Sequence, residues 1–323
     1  MNFVSTIDLA MFSTQDLSNY TTTGIGPVVD YFFLPKNKEE VIQAVQYIKD
    51  NNLEFYILGG GSNTIIDNTM DSKKAVICLL EYKGIKPLED YNILVRSGTV
   101  LQDVVDYAFN NELSGITGLN RIPGTIGGSV VGNAGAYGTE VRQTIVSVTC
   151  LDLSDLSIQT FSIDGCEYGY RDSVFKRNLN LLVLDITLSL TKPVDYALEA
   201  AKYEEISEFR DKIYPKGFKS PGSVFKNFPQ GTVSEEIMAN IPQEWVVYNK
   251  LPVGKLLEEV GSKGYNINGV RMRLSHGNIM EVFAPATYQD VDQLLTELKA
   301  RVKDRFGLTI EPEIRLVSQF RKF

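Results

Sequence analysis

The stretch GITGLNRIPGTIGGSVVGNAGAYGTEV, residues 115–141, contains eight glycines, one proline and two charged residues. Glycine lacks a Cβ atom, so the backbone can adopt positive φ and approach a bound group closely. Backbone amides of such a segment can bind a pyrophosphate without basic side chains. A series of tight turns between short strands is the alternative interpretation.

A second glycine cluster, Gly59–Asn63 (GGGSN), directly follows the apolar run Phe55–Leu58. It lacks the Lys-Ser/Thr ending of a P-loop, and Thr64 breaks the GxGxxG fingerprint. A glycine loop after a strand still suits a phosphate group. Two such loops, separated by strands and a helix, could hold a dinucleotide from both sides.

Composition limits the classes of function. The chain has 323 residues and a net charge of −8, which suits two or three domains and argues against nucleic-acid binding. Its N-terminal segment lacks the basic region of a signal peptide, and no apolar run is long enough for a membrane span. Three cysteines without CxxC spacing and a single histidine suggest neither disulfides nor a metal site. We therefore expect a cytoplasmic protein that binds no metal, membrane or nucleic acid.

Hydrophobic periodicity predicts a mixed architecture. Apolar residues at helical spacing in 38–52, between the strand-like runs 28–34 and 55–58, indicate a β-α-β unit. Further helices are expected at 101–109, 200–213, 253–260 and 287–306, and further strands at 75–79, 92–96, 145–151, 181–190, 269–274 and 311–317. Parallel and antiparallel pairing would be mixed, so the predicted fold class is α+β.

Six ordered blocks resemble those of one enzyme family. These are Leu58–Asn63, Arg121–Gly128, Asn133–Gly138, Tyr170–Ser173, Gly222–Asn227 and Glu311–Arg315. In this order they resemble the UDP-N-acetylenolpyruvoylglucosamine reductases, the MurB family of FAD enzymes. The resemblance spans nearly the whole chain. It implies two FAD-binding α+β subdomains, at 1–80 and 81–195, and a substrate-binding α+β domain at 196–310. The last strand, within 311–323, would return to the first subdomain.

The resemblance also implies which residues bind the cofactor. FAD would be non-covalent, because neither glycine loop contains His or Cys. The residues that match the family's two FAD loops are Gly59, Gly60, Gly61, Ser62, Asn63, Pro123, Gly124, Gly127, Gly128, Asn133, Gly135, Ala136 and Tyr137.

Three further residues match the family's catalytic positions: Arg171, Ser223 and Glu313. By analogy, NADPH would reduce the flavin, and hydride would then pass to the enolpyruvyl ether of UDP-N-acetylglucosamine. Arg171 and Glu313 would stabilise the enolic charge, and Ser223 would protonate the neighbouring carbon to give UDP-N-acetylmuramate. Without the resemblance, a serine in a Pro-Gly-Ser turn is a structural residue and an Arg–Glu pair is a surface ion pair.

Substrate contacts are implied for Tyr170, Lys212, Lys226 and Asn227, and His276 is expected to have a structural or pocket-lining role. The spacing between Arg171 and Ser223 resembles the subgroup without an inserted tyrosine-bearing loop. The segment 276–283 departs from the family pattern.

The implied role is peptidoglycan precursor synthesis, which serves cell shape and division, by a monomer or weak homo-oligomer. Two alternatives stay open: a related FAD oxidase of another alcohol or sugar, and a flavin- or nucleotide-binding protein without turnover.

Overall fold

The computed structural model describes residues 12–247, 249–283 and 285–323. The N-terminal stretch used to argue against a signal peptide lies mostly outside these residues. The segment predicted to form the first subdomain contains strands β1 (Phe12–Asp16) and β2 (Val28–Phe33), helix α1 (Lys38–Asp50), and strands β3 (Glu54–Leu58), β4 (Thr64–Ile66) and β5 (Lys74–Cys78).

The first sheet has the strand order β1-β2-β5-β3, in which β5 pairs in parallel with both β2 and β3. Helix α1 buries Val41, Val45 and Ile48, and Asn37 caps its N-terminus. The predicted β-α-β unit is therefore present. The glycine cluster begins where β3 ends, at the carboxyl ends of the parallel strands β2, β5 and β3, which is where α/β proteins bind ligands.

The segment predicted to form the second subdomain contains strands β6 (Ile85–Pro87) and β7 (Asn92–Arg96), helices α2 (Leu101–Asn110) and α3 (Ile126–Gly132), strands β8 (Gly135–Ala136), β9 (Thr139–Glu140), β10 (Ile145–Asp152) and β11 (Ile158–Ser162), helix α4 (Val174–Arg177) and strand β12 (Leu181–Ser189). Its main sheet has the order β11-β10-β12-β7-β6, and every pairing is antiparallel. The mixed first sheet, in which β1 pairs antiparallel with β2, and the antiparallel second sheet confirm the α+β class.

Helix α3 lies inside the glycine-rich stretch that the sequence predicted to be a loop, so that prediction was wrong for this part. The Thr125 hydroxyl accepts a hydrogen bond from the Gly128 amide at 3.3 Å and caps the helix. A Cβ atom on Gly127 would lie 2.6 Å from the Cβ of Ser97. Glycine at this position therefore lets the helix pack directly against the segment that follows β7.

The remaining elements are helix α5 (Tyr196–Ile213), strand β13 (Phe228–Pro229), helix α6 (Glu235–Met238), strand β14 (Lys250–Leu251), helix α7 (Val253–Glu259), strands β15 (Asn266–Ile267), β16 (Val270–Met272) and β17 (Met280–Val282), helix α8 (Tyr288–Phe306) and strand β18 (Arg315–Val317). Strands β15, β16 and β17 form an antiparallel sheet, and α7 and α8 share one apolar core with it. Helix α8 begins with the predicted capping box of Thr287 and Asp290.

Helix α5 packs on the second subdomain although the sequence assigned it to the third. The Asn120 amide donates to the Tyr203 carbonyl at 2.9 Å and to the Ser207 hydroxyl at 2.8 Å. Phe109 stacks on Tyr203 with ring centroids 4.2 Å apart. These contacts favour a boundary that follows α5, and we propose about residue 214 in place of 196.

The C-terminal segment pairs with elements of the first subdomain. Strand β18 runs parallel to β4, with Arg315 opposite Thr64. Beyond it, Phe55 and Arg321 exchange backbone hydrogen bonds of 2.8 and 3.2 Å. Among the described residues, no helix is long and apolar enough to cross a membrane.

Candidate active site

The two predicted glycine loops are in direct contact. The Ser62 hydroxyl donates to the Pro123 carbonyl at 3.0 Å. A Cβ atom on Gly60 would lie 2.8 Å from the Cα of Gly124, which is closer than side chains allow. Glycine is therefore required where the two backbones meet.

Several amides on these loops are free. In the described chain, the amides of Gly60, Gly61, Ser62, Gly124 and Thr125 donate no hydrogen bond to another residue. Free amides on two facing loops suit the binding of a diphosphate. The residues present therefore fit a dinucleotide cofactor such as FAD.

Among the other predicted cofactor residues, Gly127 and Gly128 lie in the first turn of α3, and those from Asn133 to Tyr137 follow its C-terminal end. Asn133 is fully buried and takes a left-handed conformation, and its side-chain amide donates to the Gly169 carbonyl at 2.8 Å. Its side-chain oxygen is buried without a partner among the described residues. Gly135 and Ala136 form β8, and Tyr137 is exposed with a φ of 51°. Gly127 differs from the others, because it serves helix packing against Ser97.

Arg171 connects this region to the C-terminal segment. Its Nε donates to a Glu313 carboxylate oxygen at 2.6 Å, and its two terminal nitrogens donate to the carbonyls of Asn133 at 3.2 Å and Gly135 at 2.8 Å. Both partners of the ion pair are largely buried, with side chains about one-fifth exposed. The guanidinium is thus fixed in three directions, which a lysine ammonium could not reproduce.

Glu313 is also tied to the first glycine loop and to the segment that carries Ser223. Its amide donates to the Val224 carbonyl at 2.7 Å, and its carbonyl accepts from the Asn63 side chain at 3.1 Å. Ser223 is half-buried and pairs across to Ile279. The structure therefore brings the segments of all three predicted catalytic residues together beside the glycine loops.

The predicted substrate residues are a hydrogen-bonded pair, Tyr170 and Asn227, and two lysines, Lys226 and Lys212. The Tyr170 hydroxyl accepts from the Asn227 amide at 3.3 Å, and burial raises the pKa of Tyr170. The Asn227 side-chain oxygen accepts from the Val253 amide at 3.0 Å at the start of α7, so its NH₂ group is the part left for a ligand. Lys226 pairs with Glu311 at 3.0 Å, and Lys212 is exposed near the end of α5.

Lys250 is a site residue that sequence reasoning missed. Its ammonium lies 4.3 Å from the centroid of the Tyr170 ring, and burial lowers its pKa. No described residue accepts a hydrogen bond from this ammonium, which is therefore free to bind an anion. Nothing in the sequence marks this contact, because it forms only when β14 packs beside the Tyr170 turn.

Asn278 is a second residue that was missed. Its side chain accepts from the Phe225 amide at 2.9 Å and donates to the Phe225 carbonyl at 2.8 Å, and its backbone carbonyl accepts from the Val224 amide at 2.9 Å. His276 accepts from the Asn278 amide at 3.1 Å, and burial lowers the pKa of this histidine. Both residues therefore support the segment that carries Ser223.

The fold and the site together define an FAD-binding enzyme with a separate C-terminal domain. A sequence model described as an FAD binding domain matches residues 29–162, which include both glycine loops. A second model, the C-terminal domain of UDP-N-acetylenolpyruvoylglucosamine reductase, matches residues 214–317. The chain belongs to the UDP-N-acetylenolpyruvoylglucosamine reductase (MurB) family.

Similar proteins cover the chain almost completely. UDP-N-acetylenolpyruvoylglucosamine reductase from Solibacter usitatus is 30% identical over 310 residues, which are 96% of this chain and 97% of the relative. The Fusobacterium nucleatum enzyme of the same name is 30% identical, covering 96% of this chain and all of the relative. The crystal structure of MurB from Thermus caldophilus superposes with a TM-score of 0.71 at 24% identity, covering 94% and 98% of the two chains, and supports the fold.

Proposed function

We propose that this protein uses bound FAD and NADPH to reduce UDP-N-acetylenolpyruvoylglucosamine to UDP-N-acetylmuramate, a step of peptidoglycan precursor synthesis in the cytoplasm. Membership of the reductase family supports the reaction. The observation that carries the proposal is the Arg171–Glu313 pair, which links the segment of Ser223 to both glycine loops. The short spacing between Arg171 and Ser223, which α4, β12 and α5 largely occupy, supports assignment to the subgroup without the tyrosine-loop insertion.

The two glycine loops would hold the diphosphate of FAD through the free amides of Gly60, Gly61, Ser62, Gly124 and Thr125. When bound, FAD would accept a hydride from NADPH and supply it to the enolpyruvyl group of the substrate. The protein's own residues would bind the substrate and manage its charge and protons.

Cationic residues around Tyr170 would bind the anionic parts of the substrate. Arg171 would polarise the enolpyruvyl carboxylate from its position between Glu313 and the end of α3, and so stabilise charge that develops during reduction. The free ammonium of Lys250 and the NH₂ group of Asn227, both beside Tyr170, would bind the remaining anionic oxygens. Lys226 and the exposed Lys212 are proposed as further contacts of the substrate.

Ser223 would donate the proton. A serine hydroxyl is a weak acid, so it serves only when the receiving carbon is strongly basic and held close. An enolate-like carbon next to the carboxylate meets the first condition. The contacts of Val224 and Phe225 with Glu313 and Asn278 meet the second, because they fix the backbone beside Ser223.

The visible absorption spectrum of the purified protein tests the proposal. We expect flavin absorbance that NADPH bleaches under anaerobic conditions and that the enolpyruvyl nucleotide sugar restores. Recovery with oxygen alone, with no response to the nucleotide sugar, would favour an FAD oxidase of another alcohol or sugar. A protein that takes up no FAD would exclude both enzymatic functions.

Replacing Gly60 with alanine should weaken FAD binding. The new Cβ atom would lie 2.8 Å from the Cα of Gly124 and force the two loops apart. We expect the dissociation constant of FAD, measured by fluorescence quenching, to rise about tenfold, which corresponds to about 1.4 kcal/mol.

The matched control is Gly165→Ala. A Cβ atom there has its nearest neighbour at an ordinary 3.6 Å, in the turn Asp164–Cys166, which belongs to neither glycine loop. Its dissociation constant should equal that of the unaltered protein. Equal affinities for the two variants would mean that the contact between the loops does not shape the FAD site.

A further inference from the structure

Arg171 occupies an unusual backbone conformation. Gly169–Asp172 forms a four-residue turn, in which the amides of Asp172 and Gly169 donate to each other's carbonyls at 3.3 and 3.1 Å. Arg171 is the third residue of this turn and has a φ of 55°. Glycine or asparagine normally takes such a position, because a side chain destabilises positive φ. Surrounding contacts must therefore hold this residue in place.

Lys176 provides a direct contact to the backbone of that residue. Its ammonium donates to the Arg171 carbonyl at 2.7 Å. The lysine lies on α4, which Ser173 caps by accepting from the Lys176 amide at 3.2 Å. The Ser173 hydroxyl in turn donates to the Val131 carbonyl at 2.8 Å, so α4 is fixed to the end of α3. The carbonyl of Arg171 is thus anchored to α4, which Ser173 joins to α3, and the guanidinium contacts the C-terminal end of α3.

The charges around Lys176 do not explain why a cation is present there. Burial lowers the pKa of Lys176, and the neighbouring cations Lys226 and Arg315 lower it further, while Asp172 and Glu313 oppose this shift. Among the described residues, no carboxylate oxygen lies within 4 Å of its ammonium. A half-buried ammonium without an ion pair is unfavourable, unless its hydrogen bond serves another group.

We propose that Lys176 is a positioning residue for the reductase reaction: it holds the Arg171 carbonyl and so keeps the strained turn that aims the guanidinium at Glu313 and the substrate. The inference rests on the proposed function for its kinetic consequence. Its structural consequence, loss of the Arg171–Glu313 hydrogen bond when Lys176 is removed, does not depend on any substrate.

The kinetic test compares three variants of the FAD-loaded protein by rapid mixing. Lys176→Met should lower the rate at which the enolpyruvyl substrate reoxidises the reduced enzyme about tenfold, with a nearly unchanged half-saturating concentration. Reduction by NADPH should change less than about twofold, and the thermal midpoint should stay near that of the unaltered protein. Lys176→Arg, which keeps a donor, should recover most of the rate. The control Lys83→Met removes an exposed lysine paired with Glu81 and should change neither rate.

The second readout is the NMR signal of the Arg171 Nε–H group in the isotopically labelled protein. We expect this proton to be slowly exchanging, because it is bonded to Glu313, and to lose that protection in Lys176→Met. Retained protection would overturn the inference. So would a raised half-saturating concentration at unchanged maximal rate, which would mean that Lys176 binds a substrate anion. A wild-type protein that the substrate does not reoxidise would refute the proposed function, while the NMR result would still decide the role of Lys176.

Discussion

Ser223→Ala should slow reoxidation of the flavin by the enolpyruvyl substrate about 10³-fold, because a positioned general acid contributes about 10²–10⁴-fold to a rate. Reduction of the flavin by NADPH should stay within about twofold of the rate of the unaltered protein. The two half-reactions separate because only the second needs a proton on carbon. Ser223 is half-buried beside Val224, whose carbonyl binds the Glu313 amide at 2.7 Å. Removal of one hydroxyl at this position removes the donor and leaves those backbone contacts in place.

Two further variants serve as comparisons for Ser223→Ala. Ser223→Cys keeps an acidic hydrogen at a similar position and should retain more activity than the alanine variant. Ser234→Ala removes an exposed serine that caps α6 and should change neither half-reaction. If Ser223→Ala is reoxidised as fast as the unaltered protein, another group or water donates the proton.

Local sequence patterns predicted those parts of the fold that local interactions determine. Helix α1 follows from the spacing of Val41, Val45 and Ile48, and α8 begins at the predicted capping box of Thr287. Such helices can be predicted from local sequence, because both the apolar spacing and the capping residues lie within the helix or next to it. The predicted catalytic residues rested on motif resemblance instead. Local chemistry alone favoured a structural turn for Ser223, and only the tertiary fold brings its segment beside Glu313.

Tertiary contacts explain what the sequence did not predict. Helix α3 was not predicted, because its glycines have low helix propensity. Glycine is nevertheless needed at position 127, because a side chain there would collide with Ser97. The sequence grouped α5 with the third domain, whereas its contacts with Asn120 and Phe109 favour the second; these long-range contacts leave no signal in local residue spacing. Lys250 joins the site through the face of Tyr170, a contact with no counterpart in residue spacing.

Arg171→Lys should slow reoxidation by the enolpyruvyl substrate about 10²-fold, although the formal charge is unchanged. The guanidinium binds Glu313, the Asn133 carbonyl and the Gly135 carbonyl at once, in directions fixed by its plane. A lysine ammonium is a compact point charge on a flexible stem and cannot make these three bonds together. The variant would therefore leave at least one carbonyl at the end of α3 without its donor and would misplace the cation relative to the substrate carboxylate.

The same exchange at Arg142 is the matched control for this prediction. Arg142 pairs with Glu140 at 2.7 Å near the Arg171 site, but its side chain is nearly half exposed, so Arg142→Lys keeps a surface ion pair of little energetic value. We expect its half-reactions to match those of the unaltered protein. An Arg171→Lys variant with an equally small effect would show that charge alone, without the three-way hydrogen bonding, is sufficient at this position. The geometry argues against that result, because Glu313 and the end of α3 are joined through the guanidinium.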